Sequence, residues 1–335
     1  MATRIPVPSE PFAVADARRA GLSTDRLRGR DLASPFRGIR AAAAPTTALE
    51  AVHAYAPRLL DGHVFGGASA AAVWGLPVPH RMTGAESVVV VLRKSRTRTI
   101  VRGITTREVK PGLFDEVQLD GLRVTGPLLT WCVLARECSV DELVRVGDAM
   151  VSTNTDYVGR HPWFEPVSIT QLRDAAVKWK GCVGVEKLRV AATLVRDAVA
   201  SPPETDLRLV LDHAGLPEPE VNVDLWREDG TFLARPDLLF RDVRLIFEYE
   251  GDGHRTDLKQ FRRDITRTGE LESENYTVVR VTGDDLYRQT SSFRERARRS
   301  YELAVRRSAL ESGGGFWGWW RGNNPQQTPP VMGGG

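Results

Sequence analysis

Two short apolar runs, Leu238-Leu239-Phe240 and Leu245-Ile246-Phe247, lie close together inside the stretch 234–267. Arg241 and Asp242 between them read as a hairpin turn, so the runs are expected to pair as neighbouring strands. Acidic side chains bracket the pair: Asp237 just before the first run, Glu248 and Glu250 at the end of the second. Gly251 and Gly253 then free the backbone, and His254 follows. In an antiparallel hairpin the start of one strand lies opposite the end of the next, which sets Asp237 beside Glu248. Side chains alternate along a strand with period two, so Glu248 and Glu250 share a face. The three carboxylates are therefore expected to meet at one sheet edge. Like charges crowded there repel unless a cation or a proton is shared. Hard oxygen ligands so placed suit Mg²⁺ or Mn²⁺. Such an ion can activate water and stabilise charge developing on a phosphodiester.

A chain of 335 residues is too long for one typical core and implies two or three domains. Its apolar fraction of 41% and charged fraction of 27% are those of a globular protein. The net charge of +3 decides nothing about nucleic acid. Arginine dominates the basic residues and offers a planar fork for phosphate or guanine; a GC-rich genome produces the same bias. Cys132, Cys138 and Cys182 lack zinc-ligand spacing, so no disulfide framework and a reducing cytoplasm are expected. The start MATRIPVPSEPF has no signal-peptide core, and no run approaches a membrane span. A cytoplasmic location follows as the expectation.

Taken in order, residues 1–45 read as a winged helix-turn-helix-like segment. A short helix over 12–20 stops at Gly21-Leu22. Ser23 caps a basic second helix over 24–32, and the extended SPFRGIRAA follows. Arg26 and Arg28 on the second helix, with Arg37 and Arg40 on the wing that Phe36 and Ile39 seat, are the residues offered to DNA. A generic pair of helices is the alternative. Residues 46–151 read as a middle α/β domain: a helix over 46–60, a small-residue helix over 64–74, a buried strand over 87–92, and helices over 127–137 and 142–151. His53, His63 and His80 have no metal-like spacing. Residues 152–184 read as a connector that ends in a helix.

Residues 185–311 form the third expected domain. Glu204 opens a helix there, either as a cap or as a charge lent to the acidic site. A strand through Val221, Val223 and Leu225 precedes the central hairpin. A helix over 256–274, the strand TVVRVT and an arginine-rich helix over 292–310 follow it. Lys259, Arg262, Arg263 and Arg267 lie on the first of these helices and face out or toward the site. The tail 312–335 is low-complexity and expected to be disordered, with Phe316, Trp317, Trp319 and Trp320 as a docking element, either for a protein partner or for the chain's own domain. The expected fold class is multidomain α/β with a mixed sheet in the C-terminal domain.

Pro236-Asp237, then Glu248-Tyr249-Glu250, then GDGH, a helix with QFRRD and the strand TVVRVT together resemble the PD-(D/E)XK nuclease superfamily. The branch of closest likeness is that of very-short-patch-repair endonucleases, over about residues 200–300. The resemblance implies a restriction-endonuclease-like domain that hydrolyses DNA with Mg²⁺ or Mn²⁺. It implies Asp237 as the central metal ligand, Glu248 as the second carboxylate and the Tyr249 carbonyl as a further ligand. Glu250 stands where the superfamily keeps a lysine, so the role of that lysine passes to the metal, to His254 as acid/base or to Lys259. More weakly, AGLSTDRLRGRDL, FRGIR, GLPVP and GLRVTGPLLTWCVLA resemble AbiEi-type antitoxins and regulators, whose first domain binds promoter DNA. A non-catalytic DNA-binding regulator that keeps a nuclease fold as scaffold is the rival expectation.

Overall fold

The computed structural model describes residues 7–93, 101–154, 157–251 and 267–311. The chain divides into two units, 1–197 and 198–335, and both are mixed α/β.

The first unit opens with a small β-α-α-β arrangement: β1 (Phe12–Ala13), α1 (Val14–Arg19), α2 (Thr24–Leu27) and β2 (Ile39–Arg40). β1 and β2 pair antiparallel, Phe12 opposite Arg40. Phe12, Ala17, Leu22 and Leu27 bury against one another. Ser23 caps α2 as expected, accepting the Arg26 N–H at 3.2 Å. The second helix is one turn long, however, and does not run to residue 32. Gly29 is a poor helix former, and the Arg26 guanidinium folds forward onto Asp31, with both nitrogens bonded at 2.9 and 2.6 Å. Phe36 and Ile39 are buried, Phe36 edge-on to Tyr55 with ring centroids 5.3 Å apart.

The remainder of this unit is built on a five-stranded mixed sheet. Its strands are β3 (His63–Phe65), β4 (Val88–Arg93), β5 (Ile104–Val109), β6 (Val117–Leu119) and β7 (Leu122–Val124), in the order β5-β4-β3-β7-β6. The helices are α3 (Ala48–Tyr55), α4 (Gly67–Trp74), α5 (Pro127–Leu134), α6 (Val140–Val151), α7 (Ile169–Lys178) and α8 (Val185–Leu194). The stretch 64–74 is thus not one helix: its first residues belong to β3. Gly66 and Gly67 make the break. A Cβ at Gly66 would sit 2.2 Å from the Val91 side chain, and Gly67 takes φ +52°. The VVVV run of β4 is buried on both faces, as an uninterrupted apolar strand requires. Asp120 (φ +49°) and Gly121 (φ +76°) form the tight turn between β6 and β7. α8, read from the sequence as the start of the third domain, packs here instead. Leu188 and Ala191 are buried, Val195 presses on Gly147, and buried Asp148 accepts the Arg196 N–H at 2.8 Å.

The second unit holds α9 (Pro202–His213), β8 (Glu220–Val221), β9 (Leu225–Trp226), β10 (Phe232–Ala234), β11 (Leu238–Phe240) and β12 (Leu245–Glu250). After these come α10 (described residues 267–273), β13 (Thr277–Thr282), α11 (Gly283–Tyr287) and α12 (Thr290–Glu311). The sheet order is β13-β12-β11-β8. β12 runs antiparallel to β11 and parallel to β13. The strand expected through Val221, Val223 and Leu225 is split, because Asn222 adopts φ +49° and turns the chain out of the ladder. The β11–β12 turn is also longer than two residues: a 3₁₀ turn over Arg241–Val243 ends at Arg244, φ +49°.

Both faces of this sheet are covered. Leu238, Phe240, Leu245 and Phe247 pack against α9 and α12. Leu239 and Ile246 face the other way, onto Leu225, Leu233 and Leu271 of the β9–β10 hairpin and α10. Two-sided burial explains why both strands read as unbroken apolar runs. Several arginines of α12 are structural. Arg296 pairs with Asp285 at 2.8 Å, Arg298 donates to the Ala214 carbonyl at 3.0 Å, and Arg307 donates to Thr277 at 2.7 Å. No helix among the described residues is long and apolar enough to cross a membrane.

Candidate active site

The register of the central hairpin pairs Leu238 with Phe247, so the next position outward sets Asp237 opposite Glu248, as the sequence spacing requires. Since Leu239 and Ile246 point to the α10 face, alternation sends Asp237, Glu248 and Glu250 to that face too. The Asp237 carboxylate bridges the strands by accepting the Tyr249 backbone N–H at 2.8 Å.

Glu204 reaches the same place from the first turn of α9. It is 7% exposed and fully engaged: Ala200 N–H at 2.9 Å, the Ser201 hydroxyl at 2.7 Å, and the Asn222 amide at 2.7 Å. These bonds close the start of the helix and leave the Glu204 charge acting on Asp237. Asn222 was not singled out by the sequence reading, yet it joins the two. Its side chain holds Glu204 and the Ala198 carbonyl, while its backbone N–H donates to the Asp237 carbonyl at 3.0 Å. An Asn at a strand break is the available signal, because Asn tolerates the left-handed backbone better than most residues.

The electrostatics of Asp237 follow from these neighbours. Burial, then the negative charge of Glu204, push its pKa from 3.8 up to about 7. The Tyr249 N–H opposes the shift, Glu248 adds to it and Arg267 opposes it. A carboxyl pushed up by burial and then by neighbouring carboxylates is the pattern that a bound cation relieves.

Two arginines already neutralise part of the cluster. Arg267 on α10 lies 2.7 Å from Glu248. Arg280 on β13, opposite Glu248 in the parallel ladder, is ion-paired with Glu250 and donates to the Thr268 hydroxyl at 2.6 Å. The expected meeting of three carboxylates thus takes a different form. Asp237, Glu248 and Glu204 interact, whereas Glu250 turns to Arg280. Among the described residues no group of three or more His, Cys, Asp or Glu side chains forms a ready metal cluster. His254, Lys259, Arg262 and Arg263 lie outside the described residues, as does the Trp-rich tail.

In the first unit, Arg28 and Arg37 are exposed. Arg26 is committed to Asp31. Arg40 is not on offer as expected: it is half-buried, its Nε donating to the Leu27 carbonyl at 2.7 Å and so tying β2 to the end of α2.

No family model matches the chain, and no solved structure matches it. Two uncharacterised proteins of Mycobacterium tuberculosis, from strains CDC 1551 and H37Rv, are each 27% identical over 135 residues, which is 40% of this chain. The chain spans about half the length of these relatives, 49% of each.

Proposed function

We propose that this protein is a metal-dependent endonuclease of the PD-(D/E)XK type, acting on DNA in the cytoplasm. In this reading the second unit is the restriction-endonuclease-like domain, and residues 1–45 are a winged helix-turn-helix that brings it to DNA. The observation that carries the proposal is Asp237, opposite Glu248 across a strand pair and beside Glu204, its carboxyl pushed up to about 7 by burial and by those two charges. The donor set is all hard oxygen and fits Mg²⁺ or Mn²⁺. Asp237 and Glu248 would hold the ion, with the Tyr249 carbonyl adjacent. Bound there, the ion supplies a water of lowered pKa and positive charge for the phosphodiester.

The rest of the chemistry falls to the chain itself. Tyr249 N–H fixes the Asp237 carboxylate, and Asn222 fixes Glu204 against it. His254 and Lys259 are the candidates for proton transfer. Arg262 and Arg263 follow on the same stretch as phosphate contacts. Purified protein incubated with plasmid and Mg²⁺ or Mn²⁺, beside Asp237→Asn, tests the reading. Cleavage by the wild type alone is expected.

A second reading is favoured by one observation: Glu250, where the superfamily keeps a lysine, is tied up with Arg280. A domain so arranged serves a non-catalytic DNA-binding regulator or antitoxin, with DNA read by Arg28, Arg37 and a released Arg26. That reading expects operator binding unaffected by Asp237→Asn, and no cleavage.

A further inference from the structure

Arg267 is a cation of the chain placed against Glu248 at the acidic site. One guanidinium nitrogen lies 2.7 Å from Glu248 Oε1 and 2.8 Å from the Arg235 carbonyl. It thereby spans the entry to β11 and the end of β12, the two places that supply Asp237 and Glu248. A divalent ion held by those carboxylates would draw on the same Glu248 charge that the guanidinium neutralises. The two cations therefore compete for one carboxylate. The pair is partly open to solvent, with the Arg267 side chain 39% and that of Glu248 17% exposed. An ion pair so placed is weakly held and has water to move into. The helix that carries Arg267 does not depend on this contact alone, because Arg280 binds Thr268 at 2.6 Å and Leu271 is buried against the sheet.

We propose that Arg267 is a competing counter-cation: it neutralises Glu248 while no divalent ion is bound and loosens from that carboxylate when one binds. The inference rests on the metal-dependent reading above and adds a residue that sets metal affinity. A purely structural role for Arg267 has the opposite consequence. If the guanidinium served to hold Glu248 in place for the metal, its removal would weaken metal binding; as a competitor, its removal strengthens it.

The test is calorimetric titration of Mn²⁺ into the full-length wild type, Arg267→Ala, Arg267→Gln and Asp237→Asn, with a thermal melt of each. Both Arg267 variants should bind Mn²⁺ with a Kd roughly fivefold to tenfold lower, as expected for removing a partly screened ion pair. Asp237→Asn should lose binding. Arg267→Gln keeps a donor for the Arg235 carbonyl, so it decides the matter should Arg267→Ala fail to fold. Equal or weaker binding by the folded Arg267 variants, while the wild type binds, overturns the counter-cation role and leaves the metal reading standing. No Mn²⁺ binding by any form overturns both.

Discussion

Replacing Asp237 by Asn should stabilise the metal-free protein, and more so as pH rises. Asp237 has a folded-state pKa raised to about 7 against an ordinary 3.8. An acid shifted this way is more easily protonated when folded than when unfolded. Its contribution is therefore fully favourable below pH 3.8 and is lost as pH climbs through 7. Integrating the linkage between pH 5 and pH 8 gives a loss of roughly 2.5 kcal/mol. Solvent screening of a half-buried group brings this to about 1–2 kcal/mol. Asn is neutral at every pH, can still accept the Tyr249 N–H, and can donate to Glu204 or Glu248. The stability gap between Asp237→Asn and wild type should thus widen by that amount from pH 5 to pH 8, or roughly 3–8 °C in Tm. Differential scanning calorimetry in chelator measures it. The comparison cancels the carboxylates whose pKa is lowered, such as Glu142 at about 2. Saturating Mn²⁺ should close the gap in the wild type, because the cation then replaces the proton. A gap that stays constant or narrows with rising pH would refute the crowding of Glu204, Glu248 and burial on Asp237.

Glu204→Gln removes the largest charge acting on Asp237, so the Asp237 titration followed by carboxyl NMR should move down by about one unit; an unmoved midpoint would mean that burial alone sets it. Phe247→Ala empties the fully buried centre of the second unit and should cost about 3–5 kcal/mol in urea unfolding, whereas Arg26→Ala, which breaks a surface pair, should leave the unfolding midpoint nearly unchanged. Arg28→Ala and Arg37→Ala should weaken duplex binding across sequences and each lower the salt slope by about one, read by fluorescence anisotropy at several salt concentrations.

What the sequence could reveal was set by how local each interaction is. The hairpin register was legible because two apolar runs of equal length flank a turn, and period-two alternation then fixes where Asp237 and Glu248 fall. The β4 run was legible for the same local reason. The β3 strand was hidden because His63–Phe65 leads directly into a small-residue helix, and the break lies in two glycines whose need shows only against Val91. Asn222 was hidden because it acts by bonding Glu204, 18 positions away. Arg267 could be read as facing out or toward the site, but its pairing with Glu248 could not, and the fate of Glu250 was hidden because its arginine partner comes from β13, a long-range neighbour that no spacing rule reaches. In the arginine-rich last helix, several guanidinium groups tie the helix to its own unit through partners far along the chain, which its composition does not reveal.

Plasmid cleavage by the full-length protein in Mg²⁺ or Mn²⁺ bears most directly on the central claim that Asp237 and Glu248 form a metal-dependent phosphodiester site. The account predicts nicking or linearisation by the wild type, none in chelator, and none by a folded Asp237→Asn. Equal cleavage by both proteins, or DNA binding without cleavage by either in both metals, would contradict it.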